Sequence, residues 1–183
     1  MTSFTAQNLG AGEHERIKKG TLQSLVMMAV LVAAAAGIGL LLTRNGFYLH
    51  VFLSDDKVTA ETIRYGNTFL NVDFSMYAFL GFIFAVRNCV QGIGKSQFVL
   101  GAGAAELVAR IVVSLLLPPL FAGGAVNAEA PALAFYALCV ADPFAWIASD
   151  SVLLMPFVRN ILKMDYRYMH THRVRREPED TFA

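Results

Sequence analysis

Five ionisable side chains lie inside runs that are otherwise as apolar as lipid: Asp73, Glu106, Arg110, Asp142 and Asp150. A charge at membrane depth costs about 2.5 to 3.5 kcal/mol even on the mildest scale, so each needs a partner, a water-filled cavity or a task. The chemistry open to such a set is ion pairing, proton or cation binding, and the lining of a polar path. Other chemistry is poorly provided for. There is no H-E-x-x-H, no nucleophile beside a base and no phosphate loop placed on a helix, so the chain does not read as an enzyme. Cys89 and Cys139 read as small apolar packers rather than a disulfide scaffold. His14 and His50 are isolated, and His170 with His172 sits in a basic tail lacking further ligands, so no metal site is expected.

The elements that must position these charges follow from composition. With 183 residues, 56% hydrophobic and only 16% charged, and a mean hydropathy of +0.50, the chain is too apolar for a soluble domain, where about 25% are charged. Residues 22–42 carry no charge over 21 positions. A helix of that length rises about 31 Å, which matches a hydrocarbon core of about 30 Å. Three weaker runs follow at 68–86, 98–121 and 132–157. Four such runs in series argue against buried core helices of a soluble protein, and the first is too long for a cleaved signal peptide. The expected fold is all-α: a polytopic bundle of four transmembrane helices over 22–162, preceded by a cytosolic connecting segment (1–21) and followed by a basic cytosolic tail (163–183).

Lys and Arg set the orientation. Arg16, Lys18 and Lys19 precede the first span, Arg87 and Lys95 separate the second and third, and six more follow the fourth from Arg159 to Arg176. The opposite side has only Arg44, Lys57 and Arg64, which predicts both termini in the cytosol.

Packing is also written in the spans. Small residues recur four apart as Ala33 with Gly37, Ala35 with Gly39, and Gly101 with Ala105, a spacing that lets helices approach closely in lipid. Pro118 and Pro119 are expected to end the third helix. In the second, Asn67, Thr68, Asn71 and Ser75 share one quarter while Asp73 and Tyr77 fall nearly opposite, so it cannot show both faces to lipid. In the fourth, Asp142, Trp146, Ser149 and Asp150 share a face about 100° wide, which favours a cavity lining over a closed helix contact.

Depth separates the five charges. Taking Arg87 as the cytosolic edge puts Asp73 about 21 Å in, while Glu106 lies about 12 Å deep, Arg110 about 18 Å and Asp142 about 15 Å from the outer side. Asp150 falls near the cytosolic rim. Arg110 cannot escape by losing its proton. It pairs either with Glu106, one turn away, or across helices with Asp73 or Asp142.

Several stretches carry a family resemblance. Gln7, Asn8, Leu9, Gly10, Ala11, Gly12, then Arg16 and Gly20, form a turn leading into a basic helix, and as a nucleotide site this Gly-x-Gly is poor because no strand precedes it. This segment resembles the cytosolic connection between the eighth and ninth helices of the multidrug and toxic compound extrusion (MATE) family. Arg87, Asn88, Gln91, Gly92, Gly94 and Lys95 resemble that family's R-N-x-x-Q-G-x-G-[KR] at the end of the tenth helix. Glu106, Leu107 and Arg110 resemble its E-L-x-x-R in the eleventh, and Ala145, Trp146 and Ile147 its A-W-I in the twelfth.

The resemblance runs to about Leu162 and covers helices nine to twelve, part of the second six-helix lobe. It implies that Met1 is not the true start and that nucleotides upstream encode about eight further spans. It also implies a multi-pass protein of the inner (plasma) membrane that exports small organic cations by antiport with Na+ or H+, with no cofactor beyond the coupling ion. The expected partners are the lipid bilayer, the missing N-terminal helices and the cations, not nucleic acid. A sodium-site aspartate of some members would fall near Leu80, where this chain has no acid. The expected ion or substrate pathway is Asn71, Asp73, Tyr77 and Asp142, with Glu106 and Arg110 as a structural charge pair and Gln7, Asn8, Gly10, Gly12 and Arg16 as a packing or gating connection. The competing functions are a non-transporting membrane subunit or truncated pseudogene product, and a lipid-linked oligosaccharide flippase of the same superfamily. The flippase would need cationic residues for pyrophosphate, and only Arg110 offers itself.

Overall fold

The computed structural model describes residues 1–44, 46–127 and 130–163. His170, His172 and most of the basic tail therefore lie outside the described residues. What is described is helical: α1 (Thr2–Gly10), α2 (His14–Thr43), a short α3 (Leu49–Phe52), a 3-10 turn (Asp55–Lys57), α4 (Ala60–Gly92), α5 (Ser96–Ala122), α6 (Ala132–Cys139), α7 (Ala141–Phe157) and a closing π turn (Val158–Leu162). Four helices are long and apolar enough to cross a membrane: α2, α4, α5, and α6 with α7 taken together.

Each span overruns its apolar stretch. Helices are set by backbone hydrogen bonds and continue through polar flanks until a cap or a turn stops them. Thr59, in an extended conformation, starts α4 by accepting the Thr62 N–H at 3.1 Å, eight residues before the apolar run begins. α5 ignores Pro118 and Pro119 and ends instead at Gly123, whose φ of 72° is left-handed. The correction has a simple cause. Each of these prolines removes its own N–H bond and no more, and the long helix continues past them, whereas a left-handed residue turns the chain out of the helix. The fourth span is divided at Val140, between α6 and α7, because Pro143 has no N–H and crowds the carbonyl four residues back. Asp142 thereby stands in the first turn of a new helix.

The spans lie in a row. α4 packs on α2 along one side and on α7 along the other, and α7 packs in turn on α5. This accounts for the two polar faces of α4. Towards α2, Thr43 Oγ1 donates to Asn71 Oδ1 at 3.3 Å, and Tyr48 Oη of the α2–α4 connection donates to Asn67 Oδ1 at 3.0 Å. Burial pushes the Tyr48 hydroxyl up, keeping it a donor. The opposite face, with Asp73 and Tyr77, meets α7. The core gathers Ile17, Val86, Cys89, Val90, Trp146, Leu153 and Ile161, so the start of α2, the end of α4 and the close of α7 meet at one end of the bundle.

Of the two glycines in the four-apart pattern of α2, Gly39 makes the intimate contact expected and Gly37 does not. A Cβ on Gly39 would run into the Phe74 ring, while one on Gly37 meets nothing. Beside these contacts an open apolar groove of about 380 Å³ runs along α2 and α4, bordered by Ala33 and Ala36. Gly39→Leu should therefore destabilise the bundle by about 1 to 3 kcal/mol, whereas Gly37→Ala should be neutral or slightly stabilising. Thermal melting of the detergent-solubilised protein checks this, and equal effects from both substitutions would refute the assignment.

Candidate functional site

Helix direction fixes how the buried charges meet. Side chains lean towards the N-terminus of their own helix, so Arg87 near the end of α4 leans back into the bundle, and Glu106 on the oppositely running α5 leans down to meet it. Arg87 Nη2 lies 3.3 Å from Glu106 Oε2. On the other carboxylate oxygen, Arg110 Nη2 approaches Glu106 Oε1 at 3.5 Å, and Arg110 Nε donates to Asp142 Oδ1 at 2.6 Å. Of the three partners open to Arg110 in the sequence, Glu106 and Asp142 are met and Asp73 is not, and the interhelical contact is the shorter.

Three helices are joined by this chain of alternating charge: α4 through Arg87, α5 through Glu106 and Arg110, α7 through Asp142. Asp142 gains further from its place in the first turn of α7, where free N–H groups favour an anion. Asp73 extends the line. It lies within electrostatic reach of Asp142 and Arg110, and its Oδ1 is buried without a hydrogen-bond partner among the described residues. At the other end Asp150 lies within reach of Arg87.

Aromatic rings accompany the charges. Tyr77 stands edge-on to Trp146 at 6.0 Å and to Phe74 at 5.1 Å. Of the four residues expected along a pathway, Asp73, Tyr77 and Asp142 come together on the α4–α7 face. Asn71 does not join them; it faces α2 and is taken by Thr43.

Arg87 is the member of this charge line that sequence reasoning missed. A charge beside an apolar run looks like the end of a span, yet α4 continues to Gly92 and the guanidinium turns inward. The lean of helical side chains was the signal available. Asp150, expected near the cytosolic rim, is more enclosed than a rim position requires, for both its carboxylate oxygens are buried and unpartnered among the described residues.

The line of charge is only half covered. Arg110 retains 41% of its side-chain exposure and Asp142 29%. α5 places Arg110 about 21 Å along from Ser96, at mid-span. A half-open ion pair at that depth cannot face hydrocarbon and must front water or further protein.

The connecting segment is more than a turn. Residues 2–10 fold as α1, Gly12 turns the chain with φ 75°, and α2 begins at His14. Asn8 Nδ2 donates to the Phe4 carbonyl at 2.8 Å, holding α1 together, while Gln7, Gly10 and Arg16 are exposed. α1 lies across the ends of α2 and α4. Thr2 Oγ1 donates to Asn88 Oδ1 at 3.3 Å, Thr5 is fully buried, and a Cβ on Gly92 would come 2.6 Å from Thr5 Cβ and 2.7 Å from the Thr2 carbonyl. The glycine and asparagine of the Arg87–Lys95 stretch are therefore the seat of α1.

Comparison with known proteins agrees with this architecture. A family model described as MatE matches residues 1–116, from α1 into α5. The match takes in Arg87, Glu106 and Arg110 and ends before α6, so the Ala145–Trp146–Ile147 stretch lies beyond it. No curated protein and no solved structure gives a significant match.

Proposed function

From the premise that this chain belongs to the MatE family of membrane transporters, we propose that it supplies one side of a cation export pathway. The observation that carries the proposal is the half-open Arg110–Asp142 pair at mid-span, which calls for an aqueous or protein-lined space beside α5 and α7. Acidic residues at the midplane of a helix bundle are what secondary transport uses.

Charge favours cations over anions. Fully ionised, Asp73, Glu106, Asp142 and Asp150 against Arg87 and Arg110 leave the line at −2. Arg87 joins Arg110 there, but each arginine is already engaged by a carboxylate, which leaves neither for a pyrophosphate. Tyr77 and Trp146 add aromatic faces that attract an organic cation. On this reading the substrates are small organic cations, exchanged for Na+ or H+. Asp73, Tyr77 and Asp142 line the path, and Asn71 acts by joining α4 to α2. The chain is a multi-pass protein of the inner membrane with both termini cytosolic, and it works with further helices of a longer transporter.

In cells carrying the complete transporter gene, Asp73→Asn and Asp142→Asn should each slow efflux of a fluorescent cation about tenfold at matched membrane abundance, equivalent to about 1.4 kcal/mol. Asp56→Asn, in the outer loop, should leave it unchanged. Wild-type efflux from both seam variants would remove these acids from the pathway.

A further inference from the structure

Asp150 adds charge to the line just described without lining the path, and its surroundings are unusual. Neither of its buried oxygens accepts a hydrogen bond from any described residue. The cation nearest in effect, Arg87 of α4, spends its Nη2 on Glu106 at 3.3 Å and keeps its buried Nε without an acceptor. Two groups of opposite character thus feel each other electrostatically, on helices packed together, and are left unjoined. An ionised carboxylate buried without donors is the costly state, and a neutral carboxyl is far cheaper to bury.

The other charged groups around α7 are committed elsewhere. Glu106 of α5 lies beyond Arg87 and holds both arginines; Asp142, two turns away on α7 itself, is held by Arg110; Asp73 of α4 acts at the Asp142 end; Arg159, in the π turn, is exposed.

We infer that Asp150 is a proton-binding site: its carboxyl holds a proton while Arg87 is engaged by Glu106, and it releases that proton to water when Arg87 swings across to it. The swing leaves Glu106 to Arg110 alone, which loosens the Arg110–Asp142 pair, so proton release at one end of the line is felt at the other. The inference does not depend on what is transported. It is tested without transport, so its failure would leave the cation-export reading untouched, and the reverse also holds.

The test uses the full chain in detergent micelles and dicyclohexylcarbodiimide, which attacks protonated carboxyls in apolar surroundings. Mass spectrometry should find the adduct on Asp150, declining about tenfold per pH unit once the group titrates. Infrared spectra should show a protonated-carboxyl component that is lost in Asp150→Asn and retained in Asp73→Asn. Glu106→Gln should lower Asp150 labelling at neutral pH at least fivefold, because it frees Arg87 to pair with Asp150, whereas Arg87→Gln should extend labelling to higher pH. A protein that elutes as a folded species yet shows no adduct on Asp150 and no Asp150-dependent stretch overturns the site. Labelling indifferent to Glu106→Gln and Arg87→Gln overturns the exchange.

Discussion

Replacing Asp142 with Arg, or Arg110 with Asp, should leave little folded protein in the membrane, and making both replacements together should restore most of it. Each single change sets like charges against one another where Arg110 Nε now meets Asp142 Oδ1 at 2.6 Å. Breaking a fully buried pair costs about 3 to 5 kcal/mol. The 41% and 29% exposure of these side chains screens part of that, leaving roughly 2 to 3 kcal/mol. The double exchange recovers the attraction but not all of the stability. Asp142→Arg puts a cation in the first turn of α7, against the helix dipole, at about 0.3 to 1 kcal/mol, and Arg110→Asp sets a second carboxylate one turn from Glu106. Gel filtration of a fluorescently tagged chain reads the outcome. If the double exchange is as poor as the singles, the pair is not what joins α5 to α7.

Gly92→Val should release α1 from the bundle. The side chain would press on Thr5 Cβ and the Thr2 carbonyl, and neither can rotate aside as the end of a flexible side chain would. Overpacking of this kind costs about 1 to 3 kcal/mol. That shifts a docking equilibrium by about five- to 150-fold. In a background with Cys89→Ser and Cys139→Ala, a Thr5→Cys thiol, buried where Thr5 is fully covered, should react slowly with a water-soluble maleimide and at least five times faster once Gly92→Val is added. Equal rates would show that α1 is seated by other contacts. The variant also separates α1 from the charge line, since Arg87 lies more than a turn before Gly92.

The four spans were legible because lipid demands long apolar runs and little else satisfies that demand. The Arg110–Asp142 contact was legible as one of several options, since depth along each helix narrows the partners an arginine can meet. Three features were not. The break at Val140 depends on how Pro143 meets a local carbonyl, and Pro118 and Pro119 in α5 show that proline alone does not dictate it. The docking of α1 depends on contact between segments more than eighty residues apart, which glycine and asparagine mark only after the contact is known. The inward turn of Arg87 depends on helix direction, which hydropathy ignores. Asn71 was misjudged for a related reason: a polar face on a wheel has no address until its neighbour is placed, and the neighbour proved to be Thr43.

On the proposed pathway, the face of α5 bearing Arg110 fronts water inside the membrane. Ser114 lies one turn beyond Arg110 on nearly the same face, and Leu115, 67% exposed, points well away from it. With Cys89 and Cys139 replaced, a membrane-impermeant thiol reagent added to intact membranes carrying the protein should label Ser114→Cys at least ten times faster than Leu115→Cys, a difference of about 1.4 kcal/mol in effective access. Labelling of neither position, or faster labelling at Leu115→Cys, would contradict the claim.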